Sequence, residues 1–162
     1  MTSDTIQIQA FSGASELALV RALFAEYASS LNIDLCFQNF EAELASLPGD
    51  YAPPRGALIL AWSQHELLGC CAMRPLDAVD YPNACEMKRL YVRPAVRGGG
   101  LGRRLAEAVM EAAQQAGYAY MLLDTLNEME TARAMYQELG FTEVPPYYYN
   151  PIEGAHYLMA RL

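Results

Sequence analysis

The run Arg97-Gly98-Gly99-Gly100-Leu101-Gly102 constrains this chain more than any other stretch. It follows a strand-like segment, Cys85 to Val92, which Pro94 stops, and it opens the clearest helical pattern in the sequence. From Leu101 to Ala116, residues Leu101, Leu105, Ala108, Val109 and Ala112 fall on one stripe, with Gly117 placed to end the helix. A strand that turns through glycines into an amphipathic helix is half of an α/β unit. The chain must therefore supply further strands for that helix to cover.

The rest of the pattern provides them. Ile6 to Phe11 alternates apolar and polar residues and predicts a strand. Helical spacing runs from Ala14 to Leu31, and a second short helix from Phe40 to Leu47. Ala57–Ser63 and Glu66–Met73 form a hairpin about Gln64-His65, and Pro75 to Pro82 is expected to be loop. Ala119–Leu123 is nearly all apolar, as in a strand covered on both faces. Asn127 and Glu130 have capping-box spacing ahead of a helix over Thr131–Leu139. Phe141–Val144 and His156–Leu162 are closing strands. With 162 residues, 53% of them hydrophobic, and no linker, the expectation is one α/β layered domain over residues 1–162.

Charge narrows the function. Net charge is −8, which argues against a general nucleic-acid binder. Yet Lys88, Arg89, Arg93, Arg97, Arg103 and Arg104 are six of the eleven basic residues, with no acid between positions 88 and 104. A cationic segment in an acidic chain suggests one local anion site. No apolar stretch nears the roughly 18 residues of a membrane helix, and the first residues lack a signal-peptide pattern. Cys36, Cys70, Cys71 and Cys85 match no zinc pattern and make a poor disulfide framework, so reduced core thiols in a cytoplasm are expected, and no metal site.

Glycines let backbone N–H groups approach a ligand, and a helix N-terminus adds unpaired donors and a positive dipole end. Together they make a phosphate or pyrophosphate cradle. No lysine follows, which excludes a P-loop. The dinucleotide fingerprint is met in part: Gly100-Leu-Gly102-Arg-Arg-Leu105 lacks its third glycine, although Asp124 mimics the ribose-binding acid. A nucleotide-dependent oxidoreductase is therefore one reading.

Another comes from resemblance. Leu90-Tyr-Val-Arg-Pro-Ala-Val-Arg97-Gly-Gly-Gly100-Leu-Gly102 resembles motif A of the GCN5-related N-acetyltransferases, Arg/Gln-x-x-Gly-x-Gly/Ala. Met135-Tyr136-Gln-Glu-Leu-Gly140-Phe141 resembles the same family's Tyr-x-x-x-Gly-Phe motif. The resemblance implies an acyl-CoA N-acyltransferase fold, a mixed central sheet with helices on both faces. It also implies transfer of an acetyl group from acetyl-CoA to a primary amine in a ternary complex.

Carried onto this sequence, it places the coenzyme's pyrophosphate against Arg97, Gly98, Gly99, Gly100, Leu101, Gly102 and Arg103. The pantetheine arm pairs with the strand at Leu90, Tyr91 and Val92, and the Leu90 N–H polarises the thioester carbonyl. Tyr136 is the general acid for the leaving thiolate, and Glu86, eleven positions before Arg97, is the base, with a water chain as the alternative. Where relatives often have asparagine seven residues before that tyrosine, this chain has Met129. Asp124 and Thr125 can meet substrate at the strand end, and Tyr147-Tyr148-Tyr149-Asn150 can wall the acceptor pocket. The expected partners are a small-molecule or peptide amine and a second copy in a homodimer. A non-catalytic acyl-CoA-binding or regulatory module on the same fold is a further reading.

Overall fold

The computed structural model describes residues 5–31, 35, 39–126 and 130–162. Cys36, Asn127 with its proposed capping box, and Met129 lie outside the described residues. The elements follow the order β1 (Ile6–Ala10), α1 (Leu17–Ser30), α2 (Phe40–Ser46), β2 (Ala57–Ser63), β3 (Glu66–Leu76), β4 (Ala84–Val92), α3 (Leu101–Gln115), β5 (Tyr120–Leu126), α4 (Glu130–Glu138), β6 (Thr142–Val144) and β7 (Ala155–Arg161). Short 3-10 turns precede α1, follow α2 and follow β4.

One seven-stranded sheet results, in the order β1-β2-β3-β4-β5-β7-β6. All neighbours are antiparallel except β4 and β5, so the sheet is mixed. Alternation along the strands builds two cores. Ile59, Cys71, Met73, Met87 and Leu123 face α3 and α4, where they meet Leu105, Val109 and Tyr136. Leu58, Leu60, Cys70, Ala72 and Tyr91 face the other way, onto Val20, Leu23 and Phe24 of α1. Because both faces are covered, β2 and β3 are apolar almost throughout.

One expectation is corrected. Pro75 and Leu76 are not loop; they extend β3 by pairing with Cys85 and Ala84 of β4. The β2 partner of β3 ends at Ala57, opposite Met73. Beyond that point one side of β3 is open, so proline's missing N–H leaves no ladder bond unmade. Among the described residues no helix is long and apolar enough to cross a membrane.

Candidate active site

The site begins with a defect in β4. Its register against β3 shifts by one residue between the pairs Ala72↔Lys88 and Cys70↔Tyr91, so that Arg89 and Leu90 together oppose Cys71. Arg89 takes the left-handed conformation, with φ of 62°. Such a bulge bends and twists its strand. Here β4 leaves β5 at once: the parallel ladder holds Ala84, Cys85 and Glu86 against Tyr120, Met121 and Leu122 and then stops. From Met87 to Val92 the β5 side of β4 has no strand partner among the described residues.

The bulge is anchored from below. Arg89 is buried, and its guanidinium makes two 2.9 Å bonds to the Glu43 carboxylate of α2. It also lies over the rings of Phe40, at 5.1 Å, and Tyr27, at 6.0 Å. The left-handed backbone at a β4 residue is thus compensated by a buried, stacked ion pair.

At the end of β4 the glycine run forms the expected turn. Gly98 and Gly100 have φ of 94° and 79°, and Gly100 is the N-cap of α3. A Cβ added at Gly98, Gly99 or Gly100 would meet nothing within 4 Å. The first turn's ladder starts from Arg104 N to Gly100 O, at 3.1 Å, so the N–H groups of Leu101, Gly102 and Arg103 precede it. Open space over unladdered N–H groups fits a diphosphate. Arg97 folds back, its Nε on the Val92 carbonyl at 2.8 Å and its guanidinium 5.5 Å from the Tyr91 ring centre. Arg103 pairs with Glu138 at 2.6 Å.

Tyr136 is placed by the way α4 ends. Gly140 has φ of 99°; its N–H donates to Gln137 O at 3.1 Å and the N–H of Phe141 to Tyr136 O at 3.0 Å. That is a Schellman stop, and its usual apolar contact is the Tyr136–Phe141 ring pair, with centroids 5.6 Å apart. The Tyr-x-x-x-Gly-Phe pattern is therefore a helix-ending device that also locks the tyrosine. Burial holds the Tyr136 phenol well above its ordinary pKa of 10.0, and the Cys71 thiol adds to the effect.

Behind the site runs the segment before β7, which lines it through Asn150 but not through Tyr147, Tyr148 or Tyr149. The Tyr147 hydroxyl donates to Glu86 Oε2 at 2.6 Å, and the other Glu86 oxygen takes two 2.9 Å contacts from Arg74. Tyr148 donates to Asp124 Oδ2, which also accepts from Asn150 Nδ2 at 3.0 Å. Tyr157 steadies the loop, with its hydroxyl on Tyr148 O at 3.0 Å and its ring edge-on to Tyr147 and Tyr148. Lys88, on the same sheet face, is buried; desolvation pushes its ammonium pKa down, against the pull of Glu86.

These parts share one cleft of about 1090 Å³ between the splayed strands. Leu90, Tyr91, Val92, Arg97, Gly98, Gly100, Leu101, Gly102, Arg103 and Tyr136 line it, as do Asp124, Thr125 and Asn150. Gly99 and Glu86 are not among its lining residues. Glu86 is 1% exposed and pairs with Arg74 rather than with Lys88 or Arg89. Tyr27 in the cleft wall, and Glu43 behind it as the partner of the cleft-lining Arg89, are the members that local spacing does not point to. The available signal is the adjacent pair Lys88-Arg89, two consecutive cations inside a strand whose residues are nearly all buried.

Among the described residues no group of three or more His, Cys, Asp or Glu is arranged to hold a metal ion. The model of the acetyltransferase (GNAT) family matches residues 19–141. An uncharacterized N-acetyltransferase of Schizosaccharomyces pombe is 38% identical over 159 residues, covering 98% of this chain and 96% of that protein. In fold, an acetyltransferase from Streptococcus agalactiae superposes with a TM-score of 0.78 at 20% identity, covering 97% of this chain and 98% of that one. The yncA protein of Salmonella typhimurium, solved with its cofactor acetyl-CoA, does so with 0.67 at 16%, covering 97% and 94%. The family match takes in the bulged strand, the glycine turn and the Tyr136–Phe141 helix end, and the chain belongs to the acetyltransferase (GNAT) family.

Proposed function

We propose that the chain moves an acetyl group from acetyl-CoA to a primary amine by direct attack in a ternary complex. One observation carries this reading. A single cleft runs from the glycine turn, past the open edge of β4, to Tyr136 and Asp124. It can hold an elongated anionic donor at one end and an acceptor at the other. The one sheet whose parted strands β4 and β5 form it takes in strands from Ile6 to Arg161, which supports residues 1–162 as one catalytic domain.

The N–H groups at Gly98, Gly100, Gly102 and Arg103 take the diphosphate, with Arg97 beside them. The β4 edge at Leu90 and Val92, which has no strand on its β5 side among the described residues, aligns the pantetheine arm, and the Leu90 N–H polarises the thioester carbonyl. Tyr136, kept protonated by burial, gives its proton to the departing thiolate. Glu86 is assigned a different part from the base expected of it. It is buried behind the cleft wall in an ion pair, so it positions Tyr147, and the amine's proton leaves through water in the cleft. The buried free thiols Cys70, Cys71 and Cys85 suit a reducing cytoplasm.

The test is thiol release from acetyl-CoA across a panel of amines, alongside thermal melts with acetyl-CoA or NADH. A ligand at about 100 times its Kd stabilises by roughly 2.7 kcal/mol, which a melt resolves. Acetyl-CoA is expected to raise the melting point and to release thiol only with an amine present. A shift with NADH and none with acetyl-CoA overturns the reading.

A further inference from the structure

We propose that Asp124, held by Tyr148 and Asn150, is the specificity-determining residue that receives the acceptor as an ammonium ion. The inference rests on the acetyl-transfer reading above and adds to it the charge of the substrate.

The argument is one of unequal pairing. Four other carboxylates in or behind the cleft walls each have an arginine: Glu138 has Arg103 at 2.6 Å, Glu43 has Arg89 at 2.9 Å, Glu86 has Arg74 at 2.9 Å and Glu26 has Arg93 at 3.5 Å. Asp124 makes no such pair among the described residues. Its donors are a tyrosine hydroxyl and a side-chain amide, both neutral and both on Oδ2. Lys88 shares its sheet face but acts on it only at longer range, and Arg89 is committed to Glu43. A half-buried carboxylate is poorly solvated and favours a cation beside it. Asp124 lines the same cleft as Leu90 and Tyr136, where the acceptor nitrogen must arrive.

The supports also fix its direction. Asn150 Oδ1 accepts the N–H of Ile152 at 2.9 Å, which turns its Nδ2 toward Asp124. With Oδ2 occupied, Oδ1 is left for the acceptor. The ammonium docks there and loses one proton to water. The free amine forms the N–C bond as the C–S bond breaks, the nitrogen gives its second proton to water in the cleft, and the thiolate takes the Tyr136 proton, which solvent replaces. An anionic acceptor would meet the Asp124 charge at the point of attack and be rejected.

Two nucleophiles separate charge from reactivity. Primary alkylamines are cationic near neutral pH, whereas hydroxylamine is largely uncharged. Thiol release with each is measured for the wild type, Asp124→Asn and Asp124→Glu, with melts in the presence and absence of acetyl-CoA. Asp124→Asn is expected to raise the alkylamine KM about tenfold to a hundredfold. It should change hydroxylamine turnover by less than about twofold and leave the acetyl-CoA shift intact. Should Asp124→Asn fail to fold, Asp124→Ser removes the charge in its place and is read in the same way, whereas Asp124→Glu keeps the charge and should keep the preference for alkylamine over hydroxylamine. An unchanged alkylamine KM in Asp124→Asn, equal loss with both nucleophiles, or a wild type that uses hydroxylamine but no alkylamine overturns the proposal. A wild type that releases thiol with neither nucleophile overturns the acetyl-transfer reading instead.

Discussion

Tyr147 donates its hydroxyl to Glu86 at 2.6 Å, across 61 positions of sequence. Its neighbour Tyr148 donates to Asp124. Glu86 belongs to the last pair that joins β4 to β5, and Asp124 lies two residues beyond that pair on β5. Two consecutive tyrosines therefore tie down the two strands at the level where they part. Their loop acts as a strap beneath the cleft.

Removing the Tyr147 hydroxyl leaves a buried carboxylate short of a donor. A hydrogen bond to a charged group contributes about 1.5–3 kcal/mol. In a chain of this size each kcal/mol shifts the melting point by roughly 2–4 °C. Tyr147→Phe should therefore melt roughly 3–12 °C lower while keeping its stabilisation by acetyl-CoA, since the glycine turn is untouched. A melting point equal to that of the wild type would show that the strap contributes nothing.

Alkaline pH should unfold the chain for a related reason. Burial raises the phenol pKa values of Tyr51, Tyr136 and Tyr147, and pushes the thiols of Cys70 and Cys85 up to about 12. In the unfolded chain these groups titrate near 10.0 and 9.0. Above those values the unfolded state holds fewer protons than the folded one, so stability falls as pH rises. Denaturant midpoints should be insensitive to these groups below about pH 8 and decline from about pH 9 upward. Tyr147→Phe should make the decline above pH 10 shallower.

What could be foreseen from sequence divides along the range of the interactions. The glycine turn and the Tyr136–Gly140–Phe141 helix end are local devices: a positive φ and two backbone bonds within six residues. Their residue types state their geometry directly. The bulge at Arg89 depends on register against β3 and on Glu43, 46 positions away, neither of which spacing encodes. Glu86 lies on the expected strand, where its carboxylate is buried against Arg74. Its environment is set by Arg74 and Tyr147, both supplied by other segments. Proline's own character predicts a loop at Pro75, whereas the end of the β2 pairing at Ala57 decides its place in the sheet.

Glu43 should matter out of proportion to its place on a short helix. Glu43→Ala strands the buried Arg89 guanidinium, and breaking a buried pair costs about 3–5 kcal/mol. The bulge loses its anchor as well, so acetyl-CoA binding should weaken along with the melting point. Calorimetric titration with acetyl-CoA, on protein shown to be folded, checks this. Unaltered affinity would mean that the bulge holds its shape without α2.

Tyr136→Phe removes the proposed proton donor and keeps the ring that packs on Phe141. A positioned acid contributes about 10²–10⁴-fold, so kcat should fall on that scale with little change in acetyl-CoA affinity. Because the phenol pKa is well above 10.0, the wild-type rate should show no loss from this group between pH 7 and 10. A kcat within a few-fold of the wild type would leave Tyr136 as packing alone.

Gly100→Val tests the cradle. At φ of 79° an L-residue is strained by about 1–2 kcal/mol, and a β-branched one more, so the unliganded melting point should drop by a few degrees. The fold should survive, because the added side chain enters open space with no atom within 4 Å of its Cβ. That same space is where the diphosphate must lie if the N–H groups of Gly98 to Arg103 are its donors. Acetyl-CoA should then give no thermal shift and release no thiol. Gly117→Val is the matched control: its φ is 92°, it also faces open space, and it ends α3 away from the cleft. It should lose comparable stability while binding acetyl-CoA as the wild type does. If Gly100→Val binds equally well, the diphosphate sits elsewhere, and the roles given to Arg97, Gly98, Gly102 and Arg103 go with it.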